Sequence, residues 1–158
     1  MTTRSTPRMV VQAALVLERM AFVIAEPTDQ DPLAAIAACS HCAWVRIGER
    51  DDGFVVVAAA EGFVREVAAG MLGLEPDEVA LDDHGDATVL ELANVLGGHL
   101  IHEQDGDLSP LRLHLPEAVT SARAGELITR ALGLGGFAGV IAAEHGILVL
   151  AGTLPRQG

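Results

Sequence analysis

The sequence predicts an α+β fold: a mainly antiparallel sheet with two long helices packed on it. Three observations carry that expectation. Asp52-Gly53, a dipeptide suited to the positive φ angles of a tight hairpin turn, joins two runs of strand-forming residues. The segment FAGVIAAEHGILVLAG near the end of the chain reads as a second hairpin, turned at 144–146. Elsewhere apolar residues recur at helical rather than strand spacing. Hairpins separated by helices define an α+β domain.

The elements follow in order. Residues 1–8, MTTRSTPR, read as a disordered lead. Val10, Ala13, Ala14, Leu17, Met20, Ala21 and Ile24 form an i, i+3, i+4, i+7 stripe, an amphipathic helix that ends before Pro27. EPTDQDP is a loop. A strand begins over 43–47, and 54–60 is its return partner. A second helix spans 61–72 and is stopped by Gly73. LEPDEVALDDHGD reads as a polar connection, with Asp86 as the cap of a third helix over 87–102. QDGD breaks the chain. Leu111, Leu113 and Leu115 alternate with Arg112 and His114, the pattern of a half-buried strand ending at Pro116. Residues 117–134 fit a short helix or a strand. No linker divides the chain, so 9–153 is read as a single domain, followed by a flexible tail over 154–158.

Composition narrows the function. Half of the 158 residues are hydrophobic, and a chain this long buries roughly 70% of its unfolded surface without metal or disulfide support. There are 22 acidic residues against 10 basic ones, for a formal charge of −12. Nucleic-acid binding needs a basic footprint that the chain lacks. Four Phe, one Trp and no Tyr leave little stacking surface. No apolar run reaches the length of a membrane span, and Gln12 with Glu18-Arg19 breaks the faint signal-peptide pattern at the N-terminus. Two cysteines and no export signal imply a cytoplasmic, reducing setting.

The stretch ELANVLGG, 91–98, places a carboxylate, a carboxamide and two glycines within one apolar segment. On a helical wheel at about 100° per residue, Val89, Leu92, Ala93, Leu96 and Leu100 form the core stripe. Glu91, Asn94, Gly98 and His102 fall on the other side, with Val95 among them. Glu91 and Asn94 thus stand one turn apart, pointing outward together. Glycine in a helix costs roughly 0.5–1 kcal/mol relative to alanine. Two explanations fit: another element of the same chain packs closely at Gly97-Gly98, or an outside partner approaches there.

With these residues in view, DATVLELANVLGGHLI resembles the signature helix of the CheX/CheC/FliY phosphatase family, marked by Glu-x-x-Asn with a glycine four residues on. WVRIGERDDGFVVVAAAEGFVREVAAGMLG is similar to the family's strand–turn–strand–helix, and LRLHLPEAV to its strand ending in Leu-Pro. Ala87 stands where the family often has Asp or Ser, and Pro116 lies within one residue of the family's downstream proline. The resemblance implies hydrolysis of the aspartyl phosphate of a CheY-type response regulator. Asn94 would orient the attacking water, Glu91 would dock the regulator's lysine, and Gly98 and His102 would lie on the partner-binding face. It implies no cofactor of the chain's own, with magnesium supplied by the regulator, and a homodimer with sheets joined edge to edge. A non-catalytic module that binds a response regulator or another signalling partner is the alternative.

Other clusters are weaker. CSHC at 39–42 has no second ligand pair and leads into a strand, so it reads as ordinary reduced thiols. His99 and His102, with His114 or Glu103, lack the spacing of a strong metal motif, and no metal site is expected. LGLGGFAG, 132–139, has no Lys-Ser/Thr and reads as a turn.

Overall fold

The computed structural model describes residues 7–103 and 111–155. A six-stranded sheet in the order β1-β5-β6-β3-β2-β4 divides two layers of helices, and every neighbouring pair is antiparallel. In chain order the elements are α1 (Arg8–Ala21), β1 (Glu26–Thr28), α2 (Pro32–Ala35, continued by a 3-10 turn), β2 (His41–Arg46), β3 (Phe54–Ala59) and α3 (Glu61–Leu72). They continue with α4 (Leu81–Glu103), β4 (Glu117–Val119), α5 (Ser121–Gly133), β5 (Phe137–Ala142) and β6 (Ile147–Thr153). Among the described residues no helix is long and apolar enough to cross a membrane.

β3 is the centre of the core, and all six of its residues are buried. Side chains alternate across a strand. Val55, Val57 and Ala59 accordingly face the cluster built with α1, α3 and α4, while Phe54, Val56 and Ala58 face α5 and α2. The expected antiparallel sheet is therefore present, but it is covered on both faces. The second cover is α5, in the stretch that fitted a helix or a strand. Thr120 caps it by accepting a hydrogen bond from the Arg123 backbone N–H at 3.1 Å.

Several boundaries differ from the sequence reading. α1 begins at Arg8, inside the expected lead, and ends at Ala21. Phe22 turns out of the helix at φ 56° and carries the capping hydrogen bonds, which leaves Ile24 exposed rather than in the core stripe. EPT is not loop but the edge strand β1, paired with β5. Leu154 and Pro155, placed in the tail, pack against the core and beside Gly48 and Gly53 respectively. The remaining lead at 1–6, the break at 104–107 and the tail beyond 155 lie outside the described residues.

The largest correction concerns α4. It starts at Leu81, so Asp86 lies inside the helix and is not its cap. Ala80 accepts from the Asp83 and His84 backbone N–H groups, while Asp82 and Asp83 occupy the first turn, where carboxylates favour a helix N-terminus. Gly85, which the sequence reading left in the polar connection, permits a close approach. A Cβ there would lie 2.5 Å from Nε2 of His41 on β2.

The expected strand through Leu111, Leu113 and Leu115 is also broken. Leu113 makes an isolated bridge to Ile47, and the next pair is Glu117 with Trp44. Three residues, 114–116, thus oppose two, Val45 and Arg46, which is a β-bulge. The bulge puts Leu115 in water at 87% exposure, forgoing roughly 1.5–3 kcal/mol of burial. The edge strands of the sheet among the described residues are β1, which contains Glu26 and Pro27, and β4, which follows Pro116 and begins with Glu117. Short edges with charge and proline are poor templates for the edge-to-edge homodimer expected from the resemblance.

Candidate functional site on the outer flank of α4

The core stripe of α4 is seated as its periodicity requires. Val89, Leu92, Ala93 and Leu96 are wholly buried and Leu100 nearly so. Those anchors fix the rotation of the helix. Glu91 and His102 are exposed, while Asn94, Val95 and Gly98 are partly exposed. Glu91 and Asn94 therefore emerge one turn apart on the same side. Among the described residues neither side chain is engaged by a hydrogen bond or an ion pair.

The two glycines have different surroundings. A Cβ on Gly97 would lie 2.7 Å from Cγ1 of Val45 and 3.1 Å from Cδ1 of Leu113, so glycine here serves packing within the chain. Among the described residues a Cβ on Gly98 would meet only Cδ2 of Leu113, at 3.9 Å. That is ordinary contact, so no neighbour among the described residues demands the absence of a side chain. Of the two explanations offered by the sequence, close packing within the chain accounts for Gly97, which admits the chain's own β2, and not for Gly98.

Gly97 also shows which flank of the helix carries the pair. It faces Val45 and Leu113, at the β4 side of the sheet. Asn94 lies about 60° around the helix from Gly97, and Gly98 about 100° in the same sense. The Asn94/Gly98 surface thus adjoins the 111–116 segment.

Among the described residues the other clusters lie apart from Glu91 and Asn94. Cys39 and Cys42 are buried free thiols on the α5 side of the sheet. Burial, with Cys42 close by, pushes the Cys39 thiol up to about 12, and burial raises Cys42 as well. Thiols that keep their protons are poor nucleophiles and poor ligands. His41 lies against Gly85 and shares a 2.9 Å hydrogen bond between its Nδ1 and Ser40 Oγ. The ring of His114 is hydrogen-bonded through Nε2 to the Gly48 carbonyl at 2.7 Å. Among the described residues no three His, Cys, Asp or Glu side chains are grouped so as to hold a metal ion. LGLGGFAG forms the end of α5, a turn with Gly135 at φ 80°, and the start of β5. The bulge and Leu115 were missed because three leucines in strict alternation carry no mark of an extra residue.

An antiparallel sheet of this order, covered by helices on both faces, is the CheX/CheC-like α+β fold. Comparison with solved structures finds that fold over nearly the whole chain. The chemotaxis protein CheX from Vibrio vulnificus superimposes with a TM-score of 0.65 at 14% identity, over 96% of this chain and 99% of that one. A CheC-like superfamily protein from Shewanella sp. PV-4 gives a TM-score of 0.64 at 16% identity, over 92% and 93%. CheX in the CheX–CheY–BeF3–Mg2+ complex from Borrelia burgdorferi gives 0.59 at 13% identity, over 94% and 96%. No family's sequence model and no curated protein matches the chain.

Proposed function

We propose that this chain accelerates hydrolysis of the aspartyl phosphate on a CheY-type response regulator. One observation supports the reading above all others: a carboxylate and a carboxamide stand side by side on the outer flank of α4, over the bare backbone of Gly98. A solved structure of the same fold holds CheX together with CheY, beryllium fluoride and magnesium.

An acyl phosphate is already activated. What its hydrolysis lacks is a water held in line with phosphorus. The Asn94 amide oxygen accepts a hydrogen bond from that water and its NH2 group donates one to a phosphoryl oxygen, so the side chain orients without being consumed. The water oxygen bonds to phosphorus as the phosphorus–carboxylate bond breaks. The products are inorganic phosphate and the free aspartate, and the water proton leaves with the phosphate. Glu91, one turn away, receives the regulator's lysine in a charge-assisted contact and sets the angle of α4. Magnesium, bound by the regulator, neutralises charge on the phosphoryl oxygens. No separate base is needed, because the carboxylate is a good leaving group.

The test is phosphate release from regulators phosphorylated with acetyl phosphate, in the presence of wild type or Asn94→Ala. Wild type should accelerate release, and Asn94→Ala should lose on the order of 10²-fold in kcat while still binding. Unchanged release by the variant would exclude this mechanism. Ala87, exposed where the resemblance places an acid or a serine, favours a second reading as a non-catalytic regulator-binding module. Binding by wild type without acceleration would select it.

A further inference from the structure

We propose that Leu115 is the apolar anchor of the docking surface, seated in the receiver domain of the response regulator when Glu91 and Asn94 engage its phosphorylated aspartate. The inference rests on the function proposed above. Gly85 lies against His41 and Gly97 against Val45, so α4 runs alongside β2 in the same direction. β4 is antiparallel to β2, which places the bulge between Leu113 and Glu117 level with the turn from Asn94 to Gly98. Gly97 turns that flank of α4 toward Leu113, and Leu115 lies two residues further along the same edge.

Leu115 is the most exposed large apolar side chain among the described residues. Its neighbour in the alternating run, Leu113, packs against the core. The extra residue in 114–116 breaks the alternation that would have buried Leu115 too. The result is a step: a projecting leucine on one side, bare helix backbone at Gly98 on the other, and the two polar groups of α4 along the same flank. A receiver domain that brings its phosphorylated aspartate to Asn94 covers this step, and water leaves the leucine only then. Docking onto the phosphorylated regulator therefore gains apolar burial that the free chain does not have.

The test measures phosphate release against the concentration of a CheY-type receiver domain phosphorylated with acetyl phosphate. It also measures direct binding of the beryllium fluoride-loaded receiver. Leu115→Asp should raise KM and Kd by about ten-fold or more, as expected for removing one buried leucine from an interface. Its kcat at saturation should stay within about two-fold, and Leu115→Met should restore the wild-type KM. The thermal midpoint should not move, since the side chain packs against little in the free chain. Unchanged KM and Kd in Leu115→Asp, with Asn94→Ala still inactive, overturn the anchor and leave the proposed function standing. A loss in kcat at constant KM also overturns it. A wild type that neither binds nor accelerates overturns both.

Discussion

Gly97 lies against Val45 so closely that a Cβ would come within 2.7 Å of its Cγ1, whereas Gly98, one residue on, has no such neighbour among the described residues. The two alanine substitutions should therefore part company. Gly97→Ala forces α4 off β2 and should cost about 1–3 kcal/mol, read as a lower urea midpoint. Gly98→Ala should gain about 0.5–1 kcal/mol from helix propensity and yet weaken regulator docking, because a methyl group then stands beside Asn94. Equal stability losses in both variants would remove the case for a bare contact surface.

Glu91 is exposed and bears a charge that folding does not use. Glu91→Gln should leave folding stability within about 0.5 kcal/mol. It should raise KM for the phosphorylated regulator on the order of ten-fold, the scale of one charge-assisted hydrogen bond. Added salt should raise KM for wild type more steeply than for the variant, since the ion pair that salt screens is gone. Parallel salt slopes for the two proteins would argue against a lysine opposite Glu91.

Phe22 sits at φ 56° with 81% of its surface exposed. A bulky side chain in the left-handed region costs roughly 1–2 kcal/mol, and glycine avoids that cost. Phe22→Gly should raise stability by about 1 kcal/mol, seen as a higher urea midpoint at constant slope. A lower midpoint would show that the exposed ring packs on something that outweighs the strain.

The buried thiols set the alkaline limit of the fold. The chain contains no Lys and no Tyr, so the cysteines are its only side chains that titrate between their ordinary pKa of 9.0 and about 12. Cys39 keeps its proton in the folded state to about 12, whereas the unfolded chain releases it near 9.0. In that window the unfolded state binds fewer protons, so stability falls as pH rises, and below it the contribution is intact. The urea midpoint should be flat up to pH 9.0 and then decline, and Cys39→Ala should flatten the decline. Alkylation at about pH 8 should be slow until denaturant is added.

What the sequence made legible were features written in local chemistry. Asp52-Gly53 marked the place of its hairpin, although the connection is a longer loop over 47–53 whose positive φ falls at Gly48 and not at Gly53. Gly73 marked its helix end, and Val89 through Leu100 the buried stripe that turns Glu91 and Asn94 outward. The first turns of α4 were missed because Asp82, Asp83, His84, Gly85 and Asp86 have the composition of a loop. Their helicity depends on contacts across the fold, including His41 filling the space that Gly85 leaves. The second helical layer was undecided because α5 gains its hold from the apolar face of β3, which belongs to a distant part of the chain. At the candidate site the residue types were visible, but the assignment of Gly97 to packing and Gly98 to exposure required knowing where Leu113 lies.

The bulge at 114–116 has a consequence for how the molecule keeps company with copies of itself. One residue fewer there would let Leu113 and β4 merge into a longer ribbon with regularly spaced amides along its outer side. As built, the rim is interrupted by a proline, shifted in register and only three residues long beyond the interruption. A chain so rich in valine, alanine and leucine thereby withholds the continuous ledge on which fibrils grow.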